Sequence, residues 1–229
     1  MNEFIEHTAL NPLVTNLDIE KLISEAREYH FRGVCVPPFW VEKTKRDLLN
    51  TDIQVVTVIG FPLGYNRSAT KKREMEVAIQ DGADELDLVM NLSAFKSGDL
   101  DWVKIEFAQM AKFAHDHEKI LKIIIETAYL SDEEIKIACQ LGQEAGADFM
   151  KTSTGFAPAP AGTPAQGATA GATVEHIKLM RSILSKEIGI KASGGIRTLA
   201  QAKALLEAGA DVLGCSASVS IMKEIKEIK

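Results

Sequence analysis

Gly-Ala-Asp occurs three times, in "QDGADELDLVMN" (80–91), "EAGADFMKTSTG" (144–155) and "EAGADVLGCSAS" (207–218), at intervals of 64 and 63 residues. Each copy closes an amphipathic helical stretch and opens an apolar extended one, with glycine where a helix C-terminus favours a left-handed residue. Two βα units of about 30 residues fill each interval. The missing strands lie between the copies: "QVVTVIGF" (54–61), "ILKIIIET" (120–127) and "IGIKASGG" (188–195). With "IEHTAL" (5–10) and "VCVP" (34–37) the count reaches eight. Helical patterns separate them, two opening with the capping boxes Ser131-x-x-Glu134 and Thr198-x-x-Gln201. Alternating strands and helices predict an α/β fold, a single-domain (β/α)8 TIM barrel over residues 1–229, with a doubly wound open sheet as the alternative.

Strand parity then sorts the charged residues. Outward residues of such a barrel must be apolar because helices cover them. Leu86, Leu88 and Met90 are therefore outward and Asp87 inward; Leu121, Ile123 and Ile125 outward, Lys122 and Glu126 inward. The same rule turns Lys151 and Lys191 into the interior, giving one aspartate and three lysines. A structural ion-pair network explains paired charges but not an excess of amines. An amine beside other cations in a desolvated pocket loses its proton readily and becomes a nucleophile, which points to imine chemistry. Lys151 and Lys191 lie just before loops rich in Gly, Ser and Thr, at the strand ends where barrel active sites form. Lys122 lies further from its loop and takes a supporting role. The loops "SGGIRT" and "GCSAS" each run into a helix, an arrangement suited to phosphate.

Composition narrows the partners. A net charge of −6 and a pI near 5.5 disfavour nucleic acid, leaving small metabolites. No apolar run reaches the ~20 residues of a membrane span. The N-terminus lacks the positive charge and apolar core of a signal peptide, so a cytoplasmic location is expected. Cys35, Cys139 and Cys215 fit free thiols in a reducing compartment. His115 and His117 stand two apart on a helix, facing different ways, so no metal site is expected.

The combination of "GADFMKTSTGF" and "KASGGIRT", with "IEHTAL", "VCVPP", "GFPLG", "ADELDLVMN" and "KIIIET", resembles the deoxyribose-phosphate aldolase family of class I aldolases over nearly the whole chain. The resemblance implies reversible cleavage of 2-deoxy-D-ribose 5-phosphate to acetaldehyde and glyceraldehyde 3-phosphate, without metal or organic cofactor. It implies a Schiff base at Lys151, with Lys191 lowering its pKa and relaying protons, and Asp87 moving protons through an ordered water. It further implies phosphate contacts from Gly155, Gly194, Gly195, Gly214 and Ser216, and a mouth-facing thiol at Cys35. Thr8 and Lys122 are placed with the substrate-binding residues. Members of the family are often dimers or higher, so a homodimer or larger homo-oligomer is compatible. A phosphosugar isomerase or synthase, using Asp87 as base without a covalent imine, is the alternative activity, and a metabolite-binding barrel the non-enzymatic one.

Three departures from the family pattern stand out. Residues 157–172, "APAPAGTPAQGATAGA", form an insert rich in Ala, Pro and Gly, about ten residues longer than usual, and suggest either a mobile flap over the mouth or a tolerated surface insertion. Cys215 and Ala217 stand where Thr and Ser are common, so one hydroxyl contact to phosphate is in doubt. "KEIKEIK" carries no C-terminal tyrosine for proton transfer.

Overall fold

The repeated Gly-Ala-Asp builds the N-terminal rim of a barrel, and its aspartate does most of that work. Asp84, Asp148 and Asp211 each accept the backbone N–H of a residue at the start of the neighbouring strand, Val55 at 2.9 Å, Leu121 at 2.7 Å and Ile190 at 2.8 Å. Each also holds a cationic or imidazole group from the helix before that strand, Lys45 at 2.7 Å, His115 at 3.0 Å and Arg181 at 3.3 Å. In two of the copies the glycine leaves room for these stems: a Cβ on Gly82 would stand 2.6 Å from Lys45 Cγ, and one on Gly209 2.9 Å from Arg181 Cγ.

The computed structural model describes residues 1–158 and 170–227. Eight parallel strands close in sequence order: β1 (Ile5–Thr8), β2 (Gly33–Val36), β3 (Gln54–Ile59), β4 (Glu85–Val89), β5 (Ile120–Ile124), β6 (Phe149–Lys151), β7 (Gly189–Ser193) and β8 (Val212–Cys215), the last pairing with β1. The helices are α1 (Asn16–Tyr29), α2 (Val41–Asp47), α3 (Ser68–Gln80), α4 (Leu92–Lys96), α5 (Leu100–His115), α6 (Asp132–Glu144), α7 (Val174–Ile183), α8 (Leu199–Glu207) and α9 (Ser218–Glu227). This is a (β/α)8 barrel; the open-sheet alternative is excluded by the β1–β8 pairing.

Both expected capping boxes form, and a third opens α1, where Thr15 bonds Asp18 reciprocally. The main apolar core lies between strands and helices, and includes Leu86, Leu88, Met90, Leu121, Ile123 and Ile125, as parity requires. A smaller cluster, Cys35, Val56 and Val58, is contributed by β2 and β3. Among the described residues no helix is long and apolar enough to cross a membrane.

Of the 157–172 insert, residues 159–169 lie outside the described residues, and so does the expected flap. Its base is described: Ala170 N–H donates to Ala157 O at 2.9 Å, and Ala172 N–H to Ser193 O at 2.9 Å.

Candidate active site

Four buried charges meet where parity sends them. Asp87 Oδ2 accepts from Lys151 Nζ at 2.7 Å and from Lys191 Nζ at 2.6 Å, while Oδ1 stands 3.2 Å from Lys122 Nζ. Adjacent registers produce this: Asp87 pairs with Lys122 across β4 and β5, and Lys151 with Lys191 across β6 and β7.

The expected ratio of one aspartate to three lysines does not hold. Glu6 bonds Lys191 and stands 3.4 Å from Lys122, and Glu85 bonds Lys122. Arg32 bridges both glutamates, at 2.8 Å to Glu6 and 2.6 Å to Glu85. Three carboxylates thus face four cationic groups. The interior is a network after all, but one with a single positive charge too many. A buried ion without a partner is costly, so the cluster is neutral when one lysine gives up its proton.

The proton affinities differ in the required direction. Burial, reinforced by the charge of Lys191, holds Lys151 below the ordinary lysine range despite the attraction of Asp87. Burial also opposes charge on Lys191 and Lys122, yet there the carboxylates outweigh it, Asp87 and Glu6 for both, and both ammonium groups are held above the ordinary range. Asp87, which burial would raise, is kept far below the usual carboxylate range by Lys122, Lys151 and Lys191. Of the three lysines, Lys151 is therefore the one whose proton is held least tightly.

Above the cluster a cleft of about 760 Å³ opens at the C-terminal ends of the strands, lined by Thr8, Lys151, Gly155, Ser193, Gly194, Gly195, Gly214 and Ser216, with Arg197 at its edge. Of the four interior cations only Lys151 lines it. A second hollow, about 660 Å³, lies at the opposite end beside Arg27, His30 and Arg32, and none of the three lysines reaches it.

The glycines of the cleft have separable reasons. A Cβ on Gly214 would stand 3.0 Å from Lys191 Cε, so its absence makes room for that side chain. Gly194, at φ +85°, would place a Cβ 2.9 Å from Gly171 Cα, so the insert's base packs against the glycine loop. Gly155 and Gly195 also have positive φ; α8 begins just beyond Gly195 and α9 just beyond Gly214.

Lys122 and Cys35 do not line the cleft. Lys122 is fully buried among its three carboxylates. Cys35 is fully buried beside Val56 and Val58, where burial pushes its thiol up to about 11. Cys215 is the cysteine that lines the mouth.

Glu126 acts in a way that parity alone did not show. Its backbone is left-handed, at φ +52°, and its Oε2 accepts both Thr154 N–H, at 3.0 Å, and the Thr154 hydroxyl. Thr154 Oγ1 accepts Phe156 N–H at 3.0 Å, so Glu126 clasps the turn that follows Lys151. Among the described residues Oε1 has no partner, and burial raises the carboxyl's pKa.

A buried lysine of lowered proton affinity facing a glycine-lined cleft at the top of a barrel is an arrangement suited to imine chemistry on a carbonyl substrate. The comparisons agree. Residues 3–222 match the model of the DeoC/LacD family of aldolases, and the chain belongs to that family. A deoxyribose-phosphate aldolase of Caldanaerobacter subterraneus subsp. tengcongensis is 47% identical over 226 residues, covering 98% of this chain and 93% of that protein. One of Streptococcus pneumoniae is 46% identical, covering 97% and 96%. The solved deoxyribose phosphate aldolase of Aeropyrum pernix, described as a unique tetramer, superposes with a TM-score of 0.88 at 30% identity, covering 100% of this chain and 92% of that one.

Proposed function

We propose that the chain is a class I deoxyribose-phosphate aldolase with Lys151 as its Schiff-base residue. The observation that carries this reading is that, among the described residues, Lys151 alone combines a lowered proton affinity with a place in the cleft wall. The free amine adds to C1 of open-chain 2-deoxy-D-ribose 5-phosphate, and loss of water leaves an iminium. The 3-hydroxyl then loses its proton, the C2–C3 bond breaks, and its electron pair flows into the iminium to form an enamine. Glyceraldehyde 3-phosphate departs. Protonation of the enamine at C2 and addition of water release acetaldehyde and restore the amine.

Asp87, bonded to both Lys151 and Lys191, is placed to pass protons between them, and charged Lys191 keeps Lys151 deprotonated. Gly155, Gly194, Gly195, Gly214 and Ser216 take the phosphate, whose charge suits the N–H groups at the starts of α8 and α9. Thr8, whose hydroxyl donates to Glu6 O at 3.0 Å, borders the substrate. Lys122 supports the reactive pair from below, and Cys35 walls the interior. A single domain over residues 1–229, a cytoplasmic location and a homodimer or larger assembly belong to the same reading, supported by the acidic composition and the tetrameric relative.

The test is incubation with 2-deoxy-D-ribose 5-phosphate. Equal amounts of acetaldehyde and glyceraldehyde 3-phosphate are expected. A five-carbon sugar phosphate isomer as sole product, or no conversion, overturns the proposal.

A further inference from the structure

Outside the reactive cluster, the wall of the barrel holds a chain of polar groups that the chemistry above leaves unused. His7, on β1, faces outward and is buried between α1 and α9. Its Nε2 lies 2.9 Å from Glu25 Oε2, and its Nδ1 lies 3.1 Å from Ser218 Oγ, at the first residue of α9. Ser218 Oγ donates in turn to Cys215 O at 2.8 Å, closing the turn between β8 and α9. Ser216, inside that turn, lines the cleft. The spatial order Glu25, His7, Ser218 resembles a nucleophile relay, but Ser218 is fully buried and its proton is engaged by Cys215 O, so it has no substrate to attack.

Counting hydrogens shows what the chain does instead. Three contacts run in series: ring to Glu25, ring to Ser218, and Ser218 to Cys215 O. A neutral imidazole has one N–H, which the Glu25 carboxylate claims, so Nδ1 must accept. The single Ser218 hydroxyl hydrogen then serves either Nδ1 or Cys215 O, and one contact goes unfilled. Imidazolium donates from both nitrogens and fills all three. The Cys215 thiol, 3.3 Å from Ser218 Oγ, adds a weak donor but supplies neither missing bond.

We propose that His7 is a positioning residue for the phosphate end of the cleft: through Ser218 it sets the β8–α9 turn that carries Ser216, and protonated His7 and bound phosphate favour one another. This rests on the reading that phosphate sits at Gly214 to Ser216. Burial favours the neutral ring in the absence of phosphate, with Glu25 opposing. The other groups facing the ring are Lys21, 3.8 Å from Glu25 on α1, the Cys215 backbone of β8, which also favours the charged ring, and the Phe31 ring, 5.3 Å away between centroids; the Cys215 thiol lies against Ser218 Oγ. Linkage makes the effect reciprocal: if protonation tightens phosphate binding, phosphate raises the proton affinity of His7 by the same factor.

Two measurements test it. The His7 ring, assigned in NMR spectra by its loss in His7→Leu, is titrated with and without saturating inorganic phosphate. Its midpoint is expected to move up in phosphate; a midpoint that stays in place, or a ring that never titrates, overturns the proposal. His7→Leu and Ser218→Ala are expected each to raise KM for 2-deoxy-D-ribose 5-phosphate about three- to tenfold, the loss of roughly one hydrogen bond. Neither changes kcat or KM for unphosphorylated 2-deoxy-D-ribose, and the double variant shows no further rise. An equal rise for both sugars overturns the proposal by showing that His7 serves only packing. A His7 midpoint that phosphate moves in a protein without aldolase turnover refutes the aldolase reading and leaves this one standing.

Discussion

Replacing Lys191 by methionine removes one charge from the interior while keeping much of the side chain's volume. Lys191 and Lys151 bond the same oxygen of Asp87, at 2.6 and 2.7 Å. Sharing that oxygen keeps the two amines within about 5 Å of each other, where unit charges repel by about 3 kcal/mol or more at an effective dielectric of ~20. Removing Lys191 takes this repulsion away from Lys151. It also evens the count, because Glu6, Glu85 and Asp87 then face only Arg32, Lys122 and Lys151. Both effects return the proton to Lys151, and the free amine at neutral pH falls by ~100-fold. The assay is kcat/KM for 2-deoxy-D-ribose 5-phosphate from about pH 6 to 10. Lys191→Met is expected to move the rising limb to higher pH, with activity recovering toward wild type there. A loss of the same size at every pH refutes the repulsion argument and makes direct proton transfer the essential work of Lys191.

Gly194→Ala forces a left-handed residue and brings its Cβ to 2.9 Å from Gly171 Cα; a loss of about 1–2 kcal/mol in urea unfolding is expected, with a raised KM for the phosphorylated sugar. Thr154→Val takes the hydroxyl from the Glu126 clasp and leaves Phe156 N–H without its acceptor. It should cost about 1–3 kcal/mol and lower kcat more than KM, because the turn beside Lys151 loosens. Glu85 is held at about 2: burial would raise it, and Lys122 with Arg32 more than reverse that. A depressed carboxyl stabilises the fold above its unfolded value, ordinarily 4.5, and that contribution is lost as pH falls toward 2. Glu85→Gln should therefore flatten the decline of the urea midpoint across that window.

The barrel and the reactive cluster were legible because both depend on period-two alternation and on a repeat that the chain displays three times. Asp87, Lys122, Lys151 and Lys191 could be turned inward because their strand neighbours are apolar. Glu85 shares the parity of Asp87, and Glu6 precedes the outward His7, so the same rule applied to "ELD" and "IEHT" finds both missing carboxylates. Arg32 gave no such signal. It lies just before β2, and its reach to Glu6 and Glu85 depends on the width of the barrel's lower end, which strand pattern does not encode. Cys35 was expected at the mouth from the family resemblance, but its height on β2 leaves it buried beside Val56 and Val58, below the cleft wall. Glu126 stood beyond the last residue of β5, where alternation ends and a left-handed backbone decides where the side chain goes.

Lys151 is the residue proposed to bond substrate. Wild-type protein and Lys151→Ala are incubated with acetaldehyde and borohydride, weighed intact, and digested to locate any adduct. One reduced two-carbon imine on Lys151, absent from the variant, is the predicted result. No adduct on either protein, or an adduct on Lys191 or Lys122 in the wild type, contradicts the central claim.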